Sequence, residues 1–215
     1  LILSLGISHG SLDHIKGKKL LKLLNYKSTS TFYILYILVG LSVILLWLLF
    51  SKILLLVFLI VASYHFGKED AEFINVKSDH ELVYFFKGSL VITAPLLFHK
   101  TETLNIFNNL NFDISQSLFI SNEFLYVFIA VSFFANIIIS LNKQIDIKSL
   151  LLMDFISIIL LNYFLNPILA FTIYFCFLHS IRHSFKLSNE LNKKNFIKGF
   201  KEFLVKAMPL TILTA

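Results

Sequence analysis

Residues 31–50 run for twenty positions without one charged side chain. A helix of about 20 apolar residues crosses the roughly 30 Å hydrocarbon core of a bilayer, so this stretch reads as a membrane span. Comparable runs recur at 52–66, 83–98, 122–141, 148–165 and 167–179, with an incomplete one ending near His9 and another beginning near Phe203. The runs at 83–98 and 167–179 are short for a span unless their helices continue into the polar flanks. In lipid every backbone N–H and C=O must find a partner inside the segment, so runs of this kind fold as helices. The expected fold is all-α: one polytopic transmembrane helical bundle over residues 1–215, with about seven to eight spans and the terminal ones truncated. The chain does not begin with Met and ends inside an apolar run, so it reads as a partial sequence. Residues 1–8 have neither a basic region nor a following cleavage site, which argues against a signal peptide.

Composition removes the competing classes. Hydrophobic residues make up 57% and charged residues 15%, whereas soluble domains are about a quarter charged. Disordered chains have low hydrophobicity, so that class is excluded as well. The single cysteine, Cys176, cannot build a disulfide framework or a thiolate metal site. A net charge of +6 would suit nucleic acid, but in so apolar a chain it fits basic loops at a membrane surface. Fifteen Lys and Arg residues fall in the loops after the first, third, fifth and seventh predicted spans, against two (Lys52 and Lys100) in the alternate loops. That asymmetry puts the basic loops on the cytoplasmic side of a cell inner membrane.

The seven histidines sort by depth on this topology. His9 and His14, His65, and the pair His179 and His183 fall near the cytoplasmic ends of three different spans. His99 falls on the opposite face, and His80 sits in a polar loop; neither receives a role. Ionisable groups at membrane depth are costly and point to function by default. His179 and His183, four apart, share one face of a helix and can grip one ion. Imidazole ligands suit iron, zinc or copper, not magnesium or calcium. Interfacial histidines bonded to headgroups or backbone are the alternative reading. Asp13 and Glu69 stand four residues after His9 and His65, with Asp70 next, where carboxylates could receive the outer N–H of a metal-bound imidazole. Solvated helix-end charge explains them equally well. Asp154 reads either as such an acceptor or as a side chain reaching for the interface.

Three segments carry a family resemblance. Gly6-Ile7-Ser8-His9-Gly10-Ser11-Leu12-Asp13-His14, Ser63-Tyr64-His65-Phe66-Gly67, and Tyr174-Phe175-Cys176-Phe177-Leu178-His179-Ser180-Ile181-Arg182-His183 resemble, in order, the signatures of the bacterio-opsin-related protein family (Brp and Brp-like, Blh). The resemblance implies a β-carotene 15,15'-dioxygenase, which splits the central double bond of β-carotene with O2 to give two molecules of retinal for a microbial rhodopsin. It implies Fe(2+) held by His9, His65, His179 and His183, on the cytoplasmic side. Asp13, His14, Glu69 and Asp70 would stand behind these ligands. Tyr64, Phe66, Tyr174, Phe175 and Phe177 become candidates for lining the substrate path, although phenylalanine is also an ordinary lipid-facing residue. The expected partners are β-carotene, O2 and the lipid bilayer, with no nucleic acid and no external reductase. The choice of dioxygenase over monooxygenase comes from the family alone.

Other readings make different demands. A membrane di-iron desaturase needs about eight clustered histidines, more than the seven here. A bis-histidine haem protein or a metal transporter would spread its ligands across the bundle or along a path through the membrane. A non-catalytic retinal-handling or opsin-assembly protein would not need the histidines for turnover.

Overall fold

A computed structural model describes residues 12–25, 29–74, 81–115, 117–141 and 143–214. The fold is all-α, with no strand among the described residues. Its helices are α1 (Asp13–Leu23), α2 (Thr29–Phe73), α3 (Glu81–Phe98), α4 (Lys100–Asn109), α5 (Asn122–Ser140), α6 (Ile145–Phe164), α7 (Pro167–Ile173), α8 (Ile181–Leu191) and α9 (Phe196–Thr214). A 3-10 turn, Leu118–Ile120, precedes α5, and a π-helical segment, Tyr174–Ser180, joins α7 to α8 without interruption. Among the described residues, five helical stretches are long and apolar enough to cross a membrane: Ser30–Phe73, Glu81–Phe98, Asn122–Ser140, Ile145–Phe164 and Pro167–Leu191.

These five stretches contain the six predicted internal runs, apart from Leu141 and Leu165 at their ends. Two of those runs share α2, whose 45 residues would extend about 68 Å at 1.5 Å per residue, twice the depth of the hydrocarbon core. No loop separates them. The backbone instead leaves helical geometry at Phe50 (φ −140°, ψ 47°), where Ser51 and Lys52 interrupt the apolar run. The short run at 167–179 continues to Leu191, as its length required. Helix α9 starts ahead of the predicted Phe203 and carries Lys198, Lys201, Glu202 and Lys206 between its start and its middle turn. The predicted first run lies outside the described residues.

The chain divides into two compact units, Leu1–Phe50 with Ser180–Ala215, and Ser51–His179. In the first, Leu12, Leu187, Phe203 and Ala207 form a buried cluster. Residues of α2 between Tyr33 and Phe50 are largely exposed, including Ile34, Ile37, Ile44 and Leu49. A helix that shows apolar side chains all round belongs in lipid or against another protein.

The second unit holds the larger core. Phe66, Leu90, Val91, Ala94, Ile158 and Tyr174 form one buried cluster, and Ala71, Tyr84, Ile139 and Leu151 another. Glycine makes the α2–α3 crossing possible. A Cβ on Gly67 would overlap the carbonyl oxygen of Tyr84, and a Cβ on Gly88 that of Ser63. The two backbones touch there, a close approach that small residues permit in membrane helices. Several buried polar side chains donate to their own helix: Ser63 Oγ to Leu59 O (2.8 Å), Asn136 Nδ2 to Ser132 O (2.9 Å) and Asn162 Nδ2 to Ile158 O (2.9 Å). Asn166 caps α7 by accepting from Leu169 N at 2.9 Å, and Pro167 fills the first helical position, where its missing N–H costs nothing.

Candidate metal centre

The close crossing sets the site. Asp70 lies one turn beyond Gly67 on α2, and Lys87 directly precedes Gly88 on α3. Asp70 is 4% exposed and Lys87 5%. Asp70 receives two hydrogen bonds from the π-helical segment. Tyr174 Oη donates to Oδ2 at 2.8 Å, and His179 Nδ1 meets Oδ1 at 3.0 Å. An ionised carboxylate only accepts, so with Asp70 ionised the imidazole hydrogen sits on Nδ1, and Nε2 is the nitrogen that could ligate a metal.

The π-helix makes this double contact possible. On an α-helix, residues five apart point about 140° away from each other. Hydrogen bonding from i to i+5 widens the turn and brings such residues nearly into register. Tyr174 and His179 accordingly present their rings together, with centroids 6.2 Å apart and planes within 29°. Such segments are rare and occur frequently at functional sites.

His179 is 1% exposed and walled by aromatic rings. Phe66 meets it edge-on at 4.8 Å and Phe175 stacks on it at 5.8 Å. His65, half-buried on α2, brings its ring to 5.4 Å from that of His179, with the planes at 70°. Two imidazoles ligating one ion can adopt that separation, because each ring centre would lie about 3 Å from a metal bound at about 2.1 Å. Both side chains offer ring nitrogens, and a tautomer fixed by a buried carboxylate is the usual support of a metal-bound histidine. The donor set therefore fits a borderline ion such as iron.

The other predicted residues distribute as follows. His183 is buried in α8, in the first unit. His9 lies outside the described residues, and so do the side chains of Asp13 and His14, whose backbone opens α1. No group of three or more His, Cys, Asp or Glu that could hold a metal occurs among the described residues. Glu69 is half-buried on α2. Phe66, Tyr174 and Phe175 gather around His179, but Phe177 is 46% exposed and faces outward. Tyr64 is drawn into a polar network, donating to Glu81 Oε2 and accepting from Lys68 Nζ at 2.6 Å. Asp154 is buried on α6. His99 is half-buried ahead of α4, and His80 falls outside the described residues.

Two features escaped the sequence reading. Lys87 carried no sequence signal that set it apart, and its burial on α3 next to Gly88 follows from the Gly67–Gly88 crossing. Tyr174 looked like a substrate-lining ring; its bond to Asp70 depends on the π-helical turn.

Comparison with known proteins agrees with the motifs. The family model described as beta-carotene 15,15'-dioxygenase matches residues 1–215. A curated relative, the beta-carotene 15,15'-dioxygenase of uncultured marine bacterium 66A03, is 25% identical over 187 residues, covering 85% of this chain and 66% of the relative. The chain thus spans just under two thirds of that relative's length. No solved structure matches it. The chain belongs to the beta-carotene 15,15'-dioxygenase family.

Proposed function

We propose that this protein is an iron-dependent enzyme of the inner membrane that cleaves the central 15,15' double bond of β-carotene with O2, giving two molecules of all-trans-retinal. The observation that carries the reading is the buried His179, tied through Nδ1 to Asp70, with the His65 ring 5.4 Å away, in a chain of this family. Fe(2+) is the proposed metal, with His65 and His179 as ligands and His9 and His183 added by the motifs. When bound, the ion would supply the electrons that let O2 react with an alkene.

The chain's own residues do the positioning. Asp70 holds the hydrogen of His179 on Nδ1 and keeps the ring from turning. Phe66 and Phe175 flank that ring and exclude water from it. β-Carotene is a hydrocarbon without a polar handle, so it would be selected by shape and would enter from the bilayer. Both oxygen atoms can leave in the two aldehydes, so the electron balance closes without an external reductase. Retinal made in this way would serve a rhodopsin.

The test is expression in cells that accumulate β-carotene, with retinal measured in the extract. Retinal from the wild type, and intact carotene with His65→Ala or His179→Ala, is the expected result. Intact carotene with a folded, iron-loaded wild type would overturn the cleavage reading in favour of a haem, transport or retinal-handling protein.

A further inference from the structure

We infer that Tyr174 is a positioning residue that acts on His179 through Asp70, and that the π-helical segment exists in this fold to let it do so. The inference rests on the proposed role of His179 as a metal ligand and deepens it.

The two oxygens of the Asp70 carboxylate are divided between two donors of one helical segment. Oδ2 takes the Tyr174 hydroxyl at 2.8 Å and Oδ1 faces His179 Nδ1 at 3.0 Å. A carboxylate held by a single bond can turn about its terminal torsion, which is broad. One held at both oxygens cannot turn without breaking a bond, so the Tyr174 hydroxyl fixes the direction in which Oδ1 points. That direction in turn fixes the plane and tautomer of the imidazole. The ring of Tyr174 is itself anchored: the residue is 3% exposed and packs edge-on against Phe66 with centroids 5.6 Å apart. Phe66 also packs against His179 at 4.8 Å. Tyr174, Asp70, His179 and Phe66 therefore form a closed ring of contacts, and the hydroxyl is its one link between Tyr174 and the carboxylate. An α-helical Tyr174–Ser180 would turn Tyr174 and His179 to different sides and open this ring. The same hydroxyl is accounted for by Asp70, which gives Tyr174 a task other than lining a substrate path.

The test uses the full chain in detergent, with two readouts that do not depend on turnover. Fe(2+) affinity is measured by competition with a chelator in the wild type, Tyr174→Phe, Asp70→Asn and the combined variant. Loss of a group behind a ligand typically weakens metal binding 10–100-fold. We expect Asp70→Asn to fall in that range and Tyr174→Phe to weaken binding by about tenfold. The combined variant should bind no more weakly than Asp70→Asn alone, because the amide offers one acceptor oxygen where the carboxylate offered two, and Tyr174 and His179 can no longer both be held through it. The second readout is 15N NMR of metal-free protein labelled at histidine. His179 should carry hydrogen on Nδ1 in the wild type, and Tyr174→Phe should move it towards the other tautomer.

An unchanged affinity and an unchanged tautomer in Tyr174→Phe would overturn the inference. A tenfold loss that persists in the Asp70→Asn background would also overturn it, since Tyr174 would then act independently. If the wild type binds no Fe(2+), the metal reading fails and the tautomer measurement alone decides the role of Tyr174. Should Tyr174→Phe not fold, 3-fluorotyrosine at position 174 keeps the ring and strengthens the donor. It should shift the His179 signal in the opposite direction, and an unmoved signal would count against the inference.

Discussion

His179 and Asp70 are 109 residues apart in the chain and 3.0 Å apart in the fold. The contact joins two of the family's motif segments: Asp70 lies just past the end of one, and His179 lies inside another. Asp70→Ala leaves the Tyr174 hydroxyl and His179 Nδ1 without their buried acceptor, at about 1–3 kcal/mol for each stranded group. Thermal unfolding in detergent should show the loss. Asp70→Asn keeps the volume and one acceptor, so it should be less destabilising than Asp70→Ala.

The α2–α3 crossing gives a second prediction. A Cβ at Gly67 meets the backbone carbonyl of Tyr84, which cannot swing aside. Gly67→Ala must therefore separate the helices, at about 1–3 kcal/mol, and should lower retinal output by displacing His65 and Asp70. Gly40 has nothing within 4 Å of the same position. Gly40→Ala should be neutral or stabilising by up to about 1 kcal/mol. Equal melting temperatures for the two variants would show that the crossing is looser than described.

Lys87 supplies the third. Lys87 and Asp70 are both buried, and a buried charge left without a compensating one is costly, on the order of 3 kcal/mol. Lys87→Met should reduce the yield of folded protein. Combining it with Asp70→Asn should restore part of that loss, because the stranded carboxylate is then gone. A double-variant cycle on melting temperature reads the coupling, and strict additivity would mean that Lys87 and Asp70 do not act as a pair.

A fourth concerns the network at the polar ends of α2 and α3. Lys68 and Glu81 pair at 3.5 Å, but their side chains are 35% and 64% exposed. Exposed pairs contribute little, because water screens them. Glu81→Gln should leave the melting temperature and retinal output unchanged, which makes it the control for the buried variants.

Metal removal provides the fifth. Chelation should abolish retinal formation, and Fe(2+) should restore it. Bound metal should also raise the melting temperature, since a ligand at 100 times its Kd adds about 2.7 kcal/mol. Full activity in protein shown to be free of iron would contradict the proposed chemistry.

Helix class and span positions were legible because apolar runs near twenty residues have few alternatives in lipid. The break at Phe50 was harder to place, since neither Pro nor Gly marks it and Ser51-Lys52 reads equally as a short loop. The site was legible as a set of residues and not as a geometry. Helical periodicity favoured Glu69, four residues after His65, as the carboxylate behind a ligand on its own helix. The structure uses Asp70 for a histidine on a different element, a pairing that no local spacing encodes. The sequence offered Tyr174 as a ring lining the substrate path; its bond to Asp70 depends on a segment with a turn wider than 3.6 residues, which no spacing announces. The burial of Lys87 was hidden for a related reason: it follows from a crossing made by two glycines on separate helices.

The contrast between the two halves of α2 and their neighbour α3 bears on how the chain enters the membrane. The first half of α2 shows apolar side chains on every side and has no charge between Thr31 and Phe50. Leucine, isoleucine, phenylalanine and valine each favour insertion, so this segment can leave the translocon unaided. Helix α3 cannot be treated alike, because it carries Lys87, a charge that opposes insertion. The second half of α2 carries the buried Asp70, a charge of opposite sign. Synthesis order places α2 ahead of α3, so that carboxylate would already be in the bilayer when Lys87 arrives.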